Sequence, residues 1–518
     1  YQTKQNYMKK LIFILMMPLV VKAQIIGVNG TNTPETLVPE VRGYITELTV
    51  DTFGLVFRDD KYVGGLAPQI ELDNVISLSN EMKSKGKVLA LCFTVFPRTG
   101  MNVNNAMADL DKLISGGVLI YSVRIGNEEW AKVAGHGGVF SNYWTKAQLF
   151  VDPVKQRNIN RILIPCGRPA DLSIWNNAAA VQINSDVIFQ PDYHPYWGKN
   201  QAPIMGELGE TEILQTGNPI NYLPYQDNFY SELYNQVLSY DLLAEIAEWH
   251  NSVIPTKEWH ITEFGPPTAV GHISNCLGFD ATTDYFFNEV AKYHPKFVCR
   301  FNGPSPTGTA IINPKSKKDD IGLNAYVKRL AYYTMQNYLN HKGALVMPKI
   351  EKEGVFYVSC HNLTRGDKSF SEYFTLGNGF YIESISYSGI KGENFYSGSG
   401  AVEWWDKSSP KTYEISGTQT FDYIPSMSYG YVSCTIKKVP VYGCTSPTAN
   451  NYDETATIDD GSCVYDVRGC MQKDALNYNP DATIDEGCIF PPKECLKKRW
   501  LFTSLPCKKS KNNVCDCK

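Results

Sequence analysis

The stretch YSVRIGNEEW, Tyr121 to Trp130, passes from a β-branched, largely apolar run into an Asn and two adjacent glutamates. A run of that kind reads as a strand of a parallel sheet, and the place where it stops is where such a sheet presents polar side chains. The same build recurs outward in both directions, as IIGVNG, LTVDTFGLVF, VLALCFTVF, RILIPCG, VIFQPDYH, WHITEFG and FVCRFNG. Amphipathic stretches such as YDLLAEIAEWHN and YFFNEVAKYH lie between them. Eight strand candidates alternating with helical ones predict an α/β architecture, a (β/α)8 TIM barrel spanning residues 24–341.

The pattern changes after His341. Segments such as GVFYVSCHNLT, GNGFYIESISYSG and SYGYVSCTIKK alternate and are punctuated by glycine, which predicts an antiparallel β-sandwich over residues 342–440. Residues 441–518 hold eight of the 14 cysteines and two copies of one pattern, GCTSPTANNYDETATIDDGSC from Gly443 and GCMQKDALNYNPDATIDEGC from Gly469. Units this small cannot bury a core, so each is expected to close on its own cysteine pair, Cys444 with Cys463 and Cys470 with Cys488. The acidic turns Asp459-Asp460-Gly461 and Asp485-Glu486-Gly487 read either as plain turns or as weak Ca²⁺ sites. The six cysteines outside the tail sit mostly in apolar runs and read as buried thiols.

At the other end, MKKLIFILMMPLVVKAQ from Met8 has the charged, apolar and small-residue order of a secretory signal, with cleavage expected after Ala23. Residues 1–23 are therefore read as a pre-sequence and signal peptide, and the mature protein as secreted or held at the cell surface through its tail. No stretch has the length of a transmembrane helix. A net charge of −4, with no basic stripe, argues against nucleic acid as a partner. Aromatic residues make up 12% of the chain, which suits surfaces that stack on sugar rings as well as a filled core.

In a barrel of this kind chemistry sits at the C-terminal ends of the strands. Three polar places fit: Asn127-Glu128 after YSVRIG, the lone carboxylate Glu263 in WHITEFG, and His194-Pro195-Tyr196 in DYHPYW. Two carboxylates on well-separated strands suit glycosidic cleavage, in which one protonates the leaving oxygen and the other attacks or activates water. Arg124 and Arg300 are the expected positive charges beside them. Read alone, NEEW also fits a helix start with Asn127 as cap, and His194 also fits a core histidine. Trp130, Trp144, Trp175 and Trp197 flank strand ends as candidate sugar platforms, although each alone also fits the core. His136, His260 and His272 lack chelating spacing, so no zinc site is read.

These residues, GNE ending one strand, H-x-Y on a later one and TEFG after that, resemble clan A glycoside hydrolases, retaining barrel enzymes. The resemblance implies Asn127 as binder of the sugar 2-hydroxyl, Glu128, directly after it, as acid/base and so Glu129 as the solvated neighbour, Glu263 as nucleophile, and His194 and Tyr196 as partners of the acids. It implies a polysaccharide substrate and no cofactor. The arginine that many members carry on strand two has only Arg58, in FRDD, as a candidate. The expected activity is a secreted retaining hydrolase, first of all an endo-acting galactanase of the agarase or carrageenase type. The alternatives are an exo-acting arabinofuranosidase or glucuronidase and a non-catalytic glycan-binding surface protein. The tail repeats resemble Cys-bounded repeats of secreted Bacteroidetes proteins.

Overall fold

A computed structural model describes residues 24–30, 37–58, 60–131, 134–195, 242–264, 277–301, 303, 311–313, 327–328, 330–364, 366–392, 423–491, 508–509 and 515–516. The signal-like leader, Tyr196, Trp197, Cys276, the long segment Gly198 to Asp227 and the pair Trp404-Trp405 lie outside the described residues.

Eight parallel strands close into a barrel in sequence order: β1 (Ile25–Asn29), β2 (Thr52–Phe57), β3 (Val88–Val95), β4 (Leu119–Ile125), β5 (Ile162–Cys166), β6 (Phe189–Tyr193), β7 (His260–Phe264) and β8 (Phe297–Phe301). Each of the eight predicted strands is present, because runs of Val, Ile, Leu and Phe fit a pleated surface covered on both sides. Strand alternation sends one set of side chains inward, where Ile25, Val56, Ala90, Cys92, Tyr121, Leu163, Phe297 and Cys299 fill the barrel floor. The other set, among them Val28, Leu55, Leu91, Val123, Ile164 and Val298, packs under the surrounding helices. One of those helices, Val103–Ser115, starts where the Asn102 side chain accepts the Asn105 N–H and buries Ala106, Leu110 and Leu113 at helical spacing.

Two departures from regular pairing shape the mouth. The β3–β4 register slips between Leu91 and Cys92, and the β7–β8 register slips between Ile261 and Phe264. The second irregularity lets the neighbours Thr262 and Glu263 both reach the interior, which strict alternation forbids.

After the barrel, a three-stranded sheet runs in the order Gly354–Asn362, Ser428–Lys438, Phe380–Lys391, the first pair antiparallel. A polar seam joins it to the barrel helix Leu277–Tyr293. Asp284 receives the Tyr431 hydroxyl and faces His361 Nε2 at 3.0 Å, and Asn288 Nδ2 donates to Tyr431 Oη at 3.0 Å and to Ser359 Oγ at 3.2 Å. Barrel and sheet form one compact unit, Tyr1–Asn378 with Ile382–Ile436, and Gly379–Tyr381 with Lys437–Lys518 form a second. In the second unit the two repeats fold alike. Tyr442–Gly443 pairs in parallel with Ile458–Asp459, Arg468–Gly469 does so with Ile484–Asp485, and each repeat is closed by its own disulfide, Cys444–Cys463 and Cys470–Cys488. The acidic turns bond backbone groups: Asp459 accepts the Gly461 N–H of its own turn at 2.9 Å, and Asp485 accepts the Met471 N–H from the start of its repeat at 2.8 Å. Five of the remaining cysteines, Cys92, Cys166, Cys299, Cys360 and Cys434, are buried thiols. Among the described residues no helix is long and apolar enough to cross a membrane.

Candidate active site

β4 ends at Ile125, and the chain turns through Gly126 and Asn127 to Glu128, whose backbone is held at φ +50°. A left-handed conformation at a residue with a Cβ stores strain of about 1 kcal/mol, and such strain gathers where a side chain has to be aimed. Glu128 aims across the mouth. Its Oε1 lies 3.5 Å from His194 Nδ1, and Glu263 Oε2 lies 3.6 Å from the same nitrogen. One oxygen of each carboxylate and a ring nitrogen of His194 all lie within 4.8 Å of one another. The two acids differ in exposure: the Glu128 side chain is 36% accessible and that of Glu263 only 8%.

Glu263 takes a further hydrogen bond from Asn29 Nδ2 at 3.1 Å. Asn29 ends β1, a position the sequence reading passed over. A second buried layer lies beneath His194, built from Arg124 on β4, Asp192 on β6 and Thr262 on β7, all three fully enclosed. The Thr262 hydroxyl donates to Asp192 Oδ2 at 2.7 Å, and its backbone N–H reaches Asp192 Oδ1 at 3.0 Å. Having given its proton to Asp192, Thr262 Oγ1 is left as an acceptor, for Arg124 Nη1 at 2.9 Å and for His194 Nε2 at 3.1 Å. His194 Nδ1 thus faces the two carboxylates, while Nε2 faces Thr262 Oγ1 and also Arg124 Nη1 at 3.2 Å. Burial alone would lower the His194 pKa, but Glu263, Asp192 and Glu128 override that and push it up to about 10. Burial likewise works to raise the Asp192 carboxyl, yet His194, Arg124 and Thr262 together hold it below its ordinary value. The spacing of Glu128, His194 and Glu263 has the span of a metal cradle, and two carboxylates crowded about one ring also suit proton transfer.

Other expected residues are distributed differently. Asn127 stands at the mouth with its side-chain Oδ1 buried and, among the described residues, without a hydrogen-bond partner. Trp130 lies edge-on to the His194 ring, centroids 6.0 Å apart. Arg300 is a correction. It alternates with Phe297 and Cys299, which point into the barrel, so its guanidinium faces outward and pairs with Asp280 at 3.2 Å. Arg124 is the arginine brought to the acids' supporting layer. Arg58 is also turned away, donating to Asp109 at 3.3 Å and to the Tyr62 and Gly65 carbonyls, where it holds the loop after β2. Trp175 is a core residue whose indole N–H donates to the Pro165 carbonyl at 2.8 Å, and Trp144 packs against Phe140 and Phe189. Neither is a sugar platform.

Glu129 also departs from expectation. It is fully buried, not solvated, and is gripped by Arg98 and His136. Adjacent acids in a turn carry no alternation signal to say which one faces water, so nothing in the sequence opposes the expectation of a solvated Glu129.

No protein-family model matches the chain, and no curated protein matches it. Among solved structures, an endo-beta-1,4-glucanase from Xanthomonas axonopodis pv. citri is similar at 13% identity, over 61% of this chain and 98% of that one, with a TM-score of 0.35. An endoglucanase from Pseudomonas stutzeri is 11% identical over 61% of this chain and 94% of that one, TM-score 0.33. An exo-beta-1,4-mannosidase from Opitutaceae bacterium strain TAV5 is 10% identical over 64% of this chain and 62% of that one, TM-score 0.35. These are distant likenesses.

Proposed function

We propose that this chain is a secreted retaining glycoside hydrolase that cleaves O-glycosidic bonds in an extracellular polysaccharide. The observation that carries the reading is the pairing of Glu128 and Glu263 across the mouth, with carboxylate oxygens within 4.8 Å and His194 between them. Retaining enzymes keep their two carboxyl groups about 5–5.5 Å apart, whereas inverting ones leave room for a water at about 6.5–9.5 Å. In this reading Glu263, the more enclosed acid, attacks the anomeric carbon while Glu128 gives its proton to the departing oxygen. Water then attacks the glycosyl–Glu263 ester as Glu128 takes a proton back, and Glu263 leaves as carboxylate. Asn29 and the His194 imidazolium keep Glu263 ionised and oriented. The greater exposure of Glu128 suits a group that exchanges protons with water. Asn127 meets the sugar 2-hydroxyl through its side-chain amide, and Trp130 lines the rim. Two disulfides are compatible with an oxidising, extracellular setting.

The test is a reducing-sugar assay of wild type and Glu263→Ala on agar, carrageenans, porphyran, mannan, xylan, arabinan and cellulose, galactans first. Release by wild type alone supports the reading and names the polymer. Silence of both proteins, with binding to one polymer retained, would replace the enzyme with a glycan-binding protein.

A further inference from the structure

We infer that Glu129 is a positioning residue for Glu128: its buried carboxylate, gripped by Arg98 and His136, holds the backbone that aims the candidate acid at His194. The inference rests on the acid/base reading of Glu128. Glu129 Oε1 accepts the backbone N–H of Asn127 at 2.9 Å and Arg98 Nε at 3.1 Å, while Oε2 lies 2.9 Å from His136 Nε2. Arg98 Nη2 also donates to the Asn127 carbonyl at 2.8 Å. The peptide groups on both sides of Asn127 are thus tied to one ion-pair cluster. The Glu128 carbonyl in turn accepts the Ala131 N–H at 2.8 Å. Between these anchors Glu128 sits at φ +50°, and relaxing it to the ordinary right-handed region would break one of them.

Gly126 shows how closely the clamp is fitted. It lies at φ +97°, and a Cβ there would meet Glu129 Cγ at 2.3 Å, so the Glu129 side chain folds back over a place only glycine leaves open. The partners come from different elements. Arg98 follows β3, and His136 precedes the helix Phe140–Ala147, resting edge-on against Tyr143, whose hydroxyl donates to the Ile125 carbonyl at 2.8 Å. The Glu129 side chain has no exposure, so it touches no substrate and acts only through its neighbour. Of the two adjacent glutamates, one does the proposed chemistry and the other fixes where it is done.

The test compares wild type, Glu129→Gln and Arg98→Gln by crystal structure, by melting temperature, and on paired dinitrophenyl and methylumbelliferyl glycosides of glucose, cellobiose, galactose and mannose. A dinitrophenolate leaves without a proton, and a methylumbelliferone needs more help, so misplacing the acid separates the pair. In Glu129→Gln the Glu128 carboxylate is expected to withdraw from His194 by about 1 Å or more, with kcat/KM down about 100-fold on the methylumbelliferyl glycoside and little changed on the dinitrophenyl one. Arg98→Gln, whose side chain is partly exposed, should show the same signature at about 10-fold and stands in if Glu129→Gln does not fold. A Glu128 that stays beside His194 in a folded variant, or rates that fall in parallel on both glycosides, would overturn the inference. Should wild type turn over neither these glycosides nor any polymer of the panel, the acid/base reading itself fails, and the position of Glu128 in the variant structures still decides the clamp.

Discussion

His260 opens β7 at the floor of the barrel and His194 follows β6 at its mouth, and burial leads to opposite outcomes for the two. At the floor, His260 lies beside the Tyr121 ring, and burial depresses it to about 3, the Asp192 charge only partly offsetting that. At the mouth, the same desolvation is overridden by Glu263, Asp192 and Glu128, and His194 rises to about 10. One end of the interior is organised to exclude charge and the other to concentrate it. In the proposed reading the floor answers for stability and the mouth for chemistry.

Substitutions at the mouth should remove activity while leaving folding intact. Glu263→Ala is expected to lower kcat by about four orders of magnitude or more on every substrate in a protein that still folds. Glu128→Gln should lose about 100-fold or more on poor leaving groups and far less on dinitrophenyl glycosides, and azide should restore turnover to Glu128→Ala. If both variants fail equally on all substrates, with no rescue, the two acids do not divide the work as described. A floor substitution should do the reverse. Phe297→Ala removes a fully buried ring and is expected to cost about 3–5 kcal/mol of unfolding free energy in denaturant titrations, with kcat per folded molecule unchanged.

The histidines provide the smallest but most specific contrast. His194 is raised above its unfolded value of 6.5, so the stability it contributes is complete below pH 6.5 and lost as pH climbs through about 10. His260 is depressed, so its contribution is complete above pH 6.5 and lost as pH falls toward about 3. The stability difference between wild type and His194→Gln should therefore shrink between neutral pH and pH about 10. His260→Leu should flatten the loss that wild type shows in acid. Denaturation midpoints measured across pH check both slopes, and slopes of the same sign would erase the contrast.

The barrel was legible because each strand is a β-branched run, and a run of that kind has few other uses. Glu263 was legible because a lone carboxylate inside WHITEF has no cheap structural role. The repeats were legible from their matched cysteines. Asn29 was not, since one Asn at a strand end reads equally as a turn. Asp192 hid in a Pro-Asp pair that also looks like a turn, although it anchors the layer under His194. Arg300 was misread by one step of strand parity. Phe297 and Cys299 face inward and the residue between and after them cannot, so counting along the strand from the apolar floor would have corrected it. Glu129 lay beyond any local rule, because the partners that bury it come from Arg98 and His136, on either side of it in the chain and outside its own turn.

The central claim is that Glu128 and Glu263 work as a retaining pair. It is tested most directly by proton NMR of the newly formed reducing end while wild type degrades its polymer. Retention of the anomeric configuration in the first product, before mutarotation, is the expected result. Inversion would contradict the account, because inverting enzymes hold their two carboxyl groups about 6.5–9.5 Å apart.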